Sequence, residues 1–380
     1  MFSDPRFLKE RDRRVAILNK LIADNDLDAL LFTSTAQQAY QVATKYVTNY
    51  QLITRRNFVF MKPGEWPRLI VPTAGMNFHC KRLSWLPDDS IYFGNTPELI
   101  VSWLKELRPG ARVGMYEVSE LPGSWERLIE GTGAKIVDIT YQYTVARQLK
   151  SDFEIEMIQK SSDLAVASFE EVVRHAEIGV TDRELVGIGE GYIRAHGGED
   201  TLILSRCEHP HSFICRAGDY KMTKDTSYLY SAEVAGPFGF WTQVIRPIFF
   251  SRGCQPEVAR IQSIIKEAEL AGAEAMKIGN TVADVAIAIE KVVADAGCTT
   301  GIWSGHGMGH DLGDGVDIGN KNMMEIVPNM VLTLHPSVLS DKDGSLFGNT
   351  WYATPEGAKC FTPKYRDVFY LDDLKAMICK

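Results

Sequence analysis

The sequence lacks the long apolar runs and the paired cysteines that would place it in a membrane or in a disulfide-bonded fold. No stretch reaches the roughly 18 apolar residues of a membrane span, and residues 1–14 are densely charged, without the apolar core of a secretory signal. The seven cysteines are odd in number and form no CxxC pair, which argues against a disulfide framework and a zinc ribbon. We therefore expect reduced thiols and a cytoplasmic location.

Clusters of basic residues are also missing. The 380 residues carry a formal net charge of -8, and no stretch of the chain is rich in Lys or Arg. Because phosphate binding requires clustered cations, this composition argues against nucleic acid and anionic membranes as partners. A small molecule or a peptide fits the composition better.

The first 150 residues alternate between helical and strand-like patterns. Apolar positions recur at helical spacing from Phe7 to Ala23, and runs of β-type residues follow at 28–32, 58–61, 68–71, 112–115 and 135–138. The pattern changes at Ser151, where a capping-box sequence begins a long helical pattern over 152–175. The sequence thus predicts an N-terminal α/β domain over 1–150 and a second domain over 151–380.

The second domain contains a weak internal repeat. Residues 178–185 and 278–285 share a Gly that can end one helix and a Thr that can cap the next. Strand-like runs follow the two copies, at 227–230, 244–250, 330–334 and 350–353. We predict a pseudo-symmetric α+β domain whose strands meet around a shared cleft.

Five segments in a fixed order carry a resemblance to a known family. They begin at Arg147, Gly239, Gly305, Val327 and Gly348, and the third reads Gly-His-Gly-Met-Gly-His. In this order they resemble motifs of the creatinase/methionine aminopeptidase/prolidase group, the M24-like family. The resemblance implies a pita-bread catalytic domain preceded by a smaller α/β domain of the creatinase N-terminal type. It also implies a homodimer in which the N-terminal domain of one subunit covers the active site of the other.

The family's metal-binding positions have lost most of their carboxylates in this chain. Peptidase members use Asp, Asp, His, Glu and Glu, and the matching positions here are Ala232 or Glu233, Gln243, His310, His335, and Gly348 or Asn349. Two adjacent divalent cations need bridging carboxylates to offset their mutual repulsion. We therefore expect no dinuclear metal and no other cofactor. The chain then resembles creatinase and ectoine hydrolase, which hydrolyse C–N bonds in small polar substrates without metal.

Glu233 is the predicted general base or nucleophile. A carboxylate within an apolar strand pattern is costly unless it has a use, and burial raises its pKa toward neutrality. Residues 233–236 also resemble the Glu-Ile-Ala-Gly of ectoine hydrolases, in which the Glu is assigned a catalytic role. The alternative is a structural ion pair between Glu233 and Arg246.

Five histidines fall at positions that the resemblance brings into one cleft. His209 or His211 is predicted to carry a proton during catalysis, because an ordinary His pKa of about 6.5 suits a shuttle near neutral pH. His310 and His335 complete the predicted catalytic set, and His306 is predicted to bind substrate. The alternative is that these are core or loop histidines with satisfied hydrogen bonds.

Further candidates are predicted to bind the substrate. Arg246 is expected to bind a substrate carboxylate through its guanidinium fork, and Asn349 lies in the last motif. Arg55 and Arg56 resemble the segment that reaches over the active site of the partner subunit, unless they are ordinary surface arginines. The nearby aromatic residues form either a pocket wall suited to a cationic group or part of the core: Phe238, Phe240, Trp241 and Trp303.

The favoured prediction is a metal-free hydrolase that cleaves a C–N bond, other than a peptide bond, in a small polar or zwitterionic metabolite. Three other interpretations stay open. Glu233, His310 and His335 could hold one divalent metal ion for hydrolysis or for a lyase reaction. Cys207 or Cys215, each near a His, could act as a nucleophile. The chain could also be a non-catalytic family member that binds a peptide or a protein.

Overall fold

The computed structural model describes residues 5–35, 42–207, 214–366 and 369–379. The chain divides into two compact units, Met1–Arg147 and Gln148–Lys380, here called unit 1 and unit 2. The sequence prediction put this boundary between Lys150 and Ser151. Among the described residues, no helix combines the length and the apolar character needed to cross a membrane.

Unit 1 mixes helices with one sheet. Its described helices are α1 (Pro5–Asp24), α2 (Val42–Thr48), α3 (Ala74–Leu83), α4 (Thr96–Leu104), α5 (Gly123–Glu130) and α6 (Thr140–Gln148). Its described strands are β1 (Ala29–Thr35), β2 (Arg56–Met61), β3 (Arg68–Val71), β4 (Ile91–Phe93), β5 (Arg112–Met115) and β6 (Lys135–Asp138).

The sheet of unit 1 has the strand order β4-β3-β2-β1-β5-β6. Strand β1 runs antiparallel to β2 and parallel to β5. The five strands predicted in this unit are confirmed. Strand β4 was missed because it has only three residues, of which only Ile91 is buried, so it gives no clear periodic pattern.

Unit 2 contains two helix pairs of similar build. The first pair is α7 (Asp152–His175) and α8 (Asp182–Ala195), and the second is α9 (Pro256–Ala275) and α10 (Val282–Asp295); α11 (Leu371–Ile378) follows later. Thr181 and Thr281 begin the second helix of each pair through a capping box. In such a box the Thr side chain accepts a hydrogen bond from the backbone N–H three residues later. The acidic side chain of that later residue accepts one from the backbone N–H of the Thr. The repeat predicted from the sequence is therefore confirmed.

The strands of unit 2 follow the same division into two halves. Those described are β7 (Asp200–Arg206), β8 (Ser227–Ala235), β9 (Trp241–Phe249), β10 (Thr299–Thr300), β11 (Gly305–Gly307), β12 (Val331–Leu334), β13 (Ser337–Leu339), β14 (Gly344–Leu346), β15 (Asn349–Thr354) and β16 (Gly357–Cys360). Sheets β7-β8-β9 and β11-β12-β15-β16 belong to the first and second halves. A bridge between Ile245 and Gly348 joins β9 to the start of β15. The unit is α+β, as predicted.

The register of β8 and β9 decides which polar side chains meet. Every residue of both strands is buried, so a polar side chain on either strand lies inside the unit. Glu233 is paired with Gln243, and Tyr230 with Arg246. Successive side chains of a strand point to opposite faces, so Gln243 and Arg246, three positions apart, point to different sides of the sheet. The proposed ion pair between Glu233 and Arg246 is therefore wrong.

Candidate active site

Glu233 lies in the middle of β8 and is 6% exposed. The Nε2 of Gln243 donates a hydrogen bond of 2.8 Å to its Oε1, and the same nitrogen lies 3.4 Å from Ser231 Oγ. Burial raises the pKa of Glu233 from 4.5 to about 8, because the charged form would lose its hydration. At neutral pH this carboxyl group therefore keeps its proton in most molecules.

His306 lies in β11 and faces the carboxyl group of Glu233. Its Nε2 is 3.9 Å from Glu233 Oε1, and its Nδ1 is 3.0 Å from the carbonyl oxygen of Gly307. A carbonyl oxygen only accepts hydrogen bonds, so Nδ1 carries the hydrogen of the neutral ring and Nε2 is left as an acceptor. Burial lowers the pKa of His306, which favours this neutral form.

His335 follows β12 and lies beside His306, with ring centroids 5.1 Å apart. Burial, and after it the neighbouring His306, lower the pKa of His335 to about 3, so the ring is neutral at neutral pH. We call Glu233, Gln243, His306 and His335 the Glu233 cluster.

Two buried polar atoms of the Glu233 cluster have no hydrogen-bond partner among the described residues. They are Gln243 Oε1 and His335 Nδ1, and both are buried. Buried polar atoms are nearly always hydrogen-bonded, so such atoms are candidates for contact with water or a bound molecule.

His310 is held in a different environment. Its ring packs against Phe240, with centroids 4.1 Å apart, and the backbone N–H of Trp241 donates to the carbonyl oxygen of Gly309 at 2.8 Å. In the described part of the chain, no three His, Cys, Asp or Glu side chains are grouped so that they could hold a metal ion. The described residues Glu233, His310 and His335 thus do not form the single-metal site considered from the sequence.

Arg246 is a structural residue, which corrects the expectation that it binds a substrate carboxylate. Its side chain is 1% exposed, and burial lowers the pKa of its guanidinium to about 10. Its two terminal nitrogens lie within hydrogen-bond distance of five acceptors inside the unit, and one N–H of Nη2 is shared between two of them. The acceptors are the backbone oxygens of Ile245, Gly348, Thr362 and Lys364 and Asn349 Oδ1. The fork that would clamp a carboxylate is therefore occupied.

Asn349 belongs to the same buried network, which corrects its assignment to substrate binding. Its Oδ1 accepts from Arg246 at 2.6 Å and from Thr362 Oγ1 at 2.9 Å, while its Nδ2 donates to Glu269 Oε1 at 2.5 Å. Glu269 also accepts from Trp351 Nε1 and from Arg366, both at 2.9 Å. The amide is thus fixed on both sides by protein groups.

The aromatic candidates do not share one environment. Phe240 and Trp241 are buried, at 1% and 3% exposure, whereas Trp303 is 56% exposed. Phe238 lies in the turn between β8 and β9 and packs against Phe153, with centroids 5.6 Å apart. A single wall built from all the predicted aromatic side chains is therefore not formed.

The remaining predicted residues fall into three groups. His209 and His211 lie outside the described residues. Cys207 is buried and Cys215 is exposed. Arg55 and Arg56 belong to unit 1, where Arg55 is exposed and Arg56 is half-buried.

Residues 156–355 match the model of metallopeptidase family M24. An uncharacterized peptidase of Staphylococcus saprophyticus is 29% identical over 211 residues, which cover 53% of this chain and 58% of that protein. The match thus spans little more than half the length of this relative.

Solved structures share the fold over nearly the whole chain. The Xaa-Pro dipeptidase from Bacillus anthracis aligns with a TM-score of 0.80 and 16% identity, covering 95% of this chain and 99% of that one. The N-terminal domain of FACT complex subunit SPT16 from chickpea, Cicer arietinum, aligns with a TM-score of 0.74 and 12% identity, covering 97% and 99%. At such low identity these likenesses concern the fold alone.

Proposed function

The chain belongs to metallopeptidase family M24, and we propose that it is a hydrolase that cleaves a C–N bond, other than a peptide bond, in a small polar or zwitterionic molecule. The observation that carries the proposal is the Glu233 cluster, in which a buried carboxyl group and a neutral imidazole bring Oε1 and Nε2 to 3.9 Å. In one hydrolysis, a base of this kind can activate the attacking water molecule and an acid of this kind can protonate the leaving nitrogen.

The residues at the family's metal positions do not fit a pair of metal ions. The Glu233 cluster offers one carboxylate, and Gln243 directs its amide nitrogen, which is not a metal ligand, at that carboxylate. Asn349 is already bound by Arg246 and Glu269. Two adjacent cations without bridging carboxylates would repel each other strongly. The proposed reaction accordingly uses protein side chains alone.

Glu233 and His306 divide the acid and base roles. Nε2 of the neutral His306 takes a proton from a water molecule, whose oxygen bonds to the carbon of the scissile C–N bond. Glu233, protonated at neutral pH because of its raised pKa, gives its proton to the nitrogen as that bond breaks. The proton on His306 then returns to Glu233, so each turnover restores both groups. Glu233 is thus proposed as a general acid, in place of the base or nucleophile expected from the sequence.

The charge of the cluster bears on the substrate class. With Glu233 protonated and both imidazoles neutral, the cluster has no net charge near pH 7. Gln243 Oε1, which lacks a partner among the described residues, can accept an N–H group of a substrate. A neutral amide- or urea-type group is therefore the proposed target.

A substrate panel tests this function. The purified chain is incubated with amides, ureas, guanidines, betaines, cyclic amidines and X-Pro dipeptides, and the release of ammonia or amine is measured. We expect turnover within the amide and urea classes. Turnover of X-Pro dipeptides alone would overturn the assignment to bonds other than peptide bonds, and binding without turnover across the panel would favour a non-catalytic member.

The pH dependence of turnover is a first prediction. Glu233 must be protonated, so kcat/KM is expected to fall as pH rises through about 8. His306 must be neutral to act as the base, so kcat/KM is also expected to fall at acidic pH. Because burial lowers the pKa of His306, this fall should occur below pH 6.5, the ordinary pKa of a His. A profile measured with one panel substrate from about pH 5 to about pH 10 tests both limbs. Activity that increases through pH 8 would instead make the ionised Glu233 the active form.

Insensitivity to metal removal is a second prediction. Dialysis against a chelator is expected to leave kcat unchanged, and elemental analysis is expected to find far less than one metal ion per chain. The reason is that the cluster supplies only one carboxylate, whereas two adjacent divalent cations need bridging carboxylates to offset their mutual repulsion. Activity that is lost on dialysis and restored by one divalent metal would contradict the proposed chemistry.

A further inference from the structure

Unit 1 contains a cavity of about 400 Å³ that the proposed reaction does not use. It is lined by Thr33, Ser34, Thr35, Arg56, Tyr116, Glu117 and Glu120. These residues come from the carboxyl end of β1, the start of β2 and the segment after β5. Parallel neighbours such as β1 and β5 commonly bind ligands in the crevice beyond their carboxyl ends. The volume is in the range of small-molecule sites.

Arg56 provides the positive charge of this cavity. Its Nη1 donates to Thr33 Oγ1 at 3.2 Å, and no ion pair joins it to a carboxylate in the described part of the chain. Residues 36–41, which follow Thr35 in the sequence and are not described, contain neither Asp nor Glu. Burial lowers the pKa of Arg56, as expected for a cation without a countercharge. A ligand anion would supply that countercharge in a bidentate geometry.

Glu117 and Glu120 provide the negative charge of the cavity. Glu117 has a left-handed backbone, with φ 50° and ψ 56°, and its N–H donates to Thr140 Oγ1 at 2.8 Å. Residues other than Gly and Asn rarely adopt this conformation unless the surrounding structure holds them in it, so the position of Glu117 is fixed by its surroundings. The cavity thus combines one guanidinium, two carboxylates and several hydroxyl groups.

We propose that this cavity is a binding site for a small zwitterion that carries a carboxylate and an ammonium group, such as a free amino acid or a dipeptide. The carboxylate binds Arg56 and the hydroxyl groups at the end of β1, and the ammonium group binds Glu117 and Glu120. This role for Arg56 is independent of Glu233 and differs from the contact with a partner subunit that the family resemblance implies.

The test uses the full chain with Glu233→Gln, so that turnover and the failure of the proposed hydrolase do not affect the result. Binding of alanyl-alanine is measured by titration calorimetry and compared with its N-acetyl and C-amide forms. We expect the zwitterion to bind at least about tenfold more tightly than either blocked form, since each block removes one charge-assisted contact.

Substitutions locate the binding. Arg56→Gln is expected to weaken alanyl-alanine binding by at least about tenfold, whereas Arg55→Gln, on the exposed neighbour that does not line the cavity, is the matched control and should bind as the parent does. The pair Glu117→Gln and Glu120→Gln, on exposed side chains, should remove the preference over the N-acetyl form even if Arg56→Gln proves unstable. Absence of binding, equal affinity for the blocked forms, or unchanged affinity in the glutamine variants would each overturn the proposal.

Discussion

Replacing Glu233 by Gln is expected to lower kcat by about 10²- to 10⁴-fold, the usual contribution of a general acid. The introduced amide has nearly the same shape and can still accept the hydrogen bond from Gln243, so the geometry of the Glu233 cluster is retained. It lacks the acidic proton that Glu233 would give to the leaving nitrogen. Steady-state turnover of a substrate from the panel, with KM measured separately, checks the result.

The same substitution is expected to stabilise the protein at high pH. The folded pKa of about 8 lies above the ordinary value of 4.5, so the unfolded chain loses this proton first. This difference lowers the free energy of unfolding as pH rises. The loss is absent below about pH 4.5, grows between about pH 4.5 and about pH 8, and reaches up to about 5 kcal/mol above about pH 8. A glutamine side chain has no proton to lose in this range; we therefore expect the free energy of unfolding of E233Q to exceed that of the parent by a few kcal/mol at about pH 9.

Urea unfolding at about pH 5 and about pH 9 measures this difference. Glu356→Gln is the matched control, because that side chain is 74% exposed and its pKa is lowered, not raised. If E233Q is less stable than the parent at the higher pH, Glu233 is an ionised structural residue, and its proposed role as an acid fails with it.

Much of the fold could be predicted because its boundaries are set locally. The capping boxes that begin α7, α8 and α10 involve residues three positions apart, so the sequence alone marks them. In unit 1, strands β1 and β2 are almost entirely buried, so each contains a continuous run of apolar residues that the sequence shows. The internal repeat was visible for the same reason, since each copy has its own Thr cap.

The candidate site was only partly predictable, because its contacts depend on register and on distant segments. Glu233 stood out as a carboxylate in an apolar strand, but its partner Gln243 follows from the pairing of β8 with β9. Gln243 entered the sequence prediction only as a degenerate metal position. His306 was expected to bind substrate, and its distance of 3.9 Å to Glu233 Oε1 arises from packing of β11 against the first half of the unit.

The assignments of Arg246 and Asn349 failed for a related reason. Three of the backbone oxygens that accept from Arg246 lie more than 100 residues away in sequence. Glu269, which holds Asn349, lies inside α9, where a carboxylate gives no sign of its burial. A position that lacks the carboxylate found in peptidase members can thus be filled by an internal network, and its residue types alone do not show this.

Replacing Arg246 by Met is expected to destabilise the protein by about 3–5 kcal/mol, since it leaves several buried oxygens and the Asn349 amide without their donor. Arg246→Lys should be nearly as harmful, because one ammonium group cannot serve five acceptors in the planar arrangement of a guanidinium. Arg252→Lys, on a side chain that is 67% exposed, is the matched control and should change stability by less than about 1 kcal/mol. Urea unfolding measures all three variants.

In the fraction of Arg246→Lys that folds, KM should change equally for anionic and neutral substrates, because the side chain at position 246 binds protein groups and not the substrate. A selective rise in KM for anionic substrates, with stability unchanged, would restore Arg246 to the substrate site.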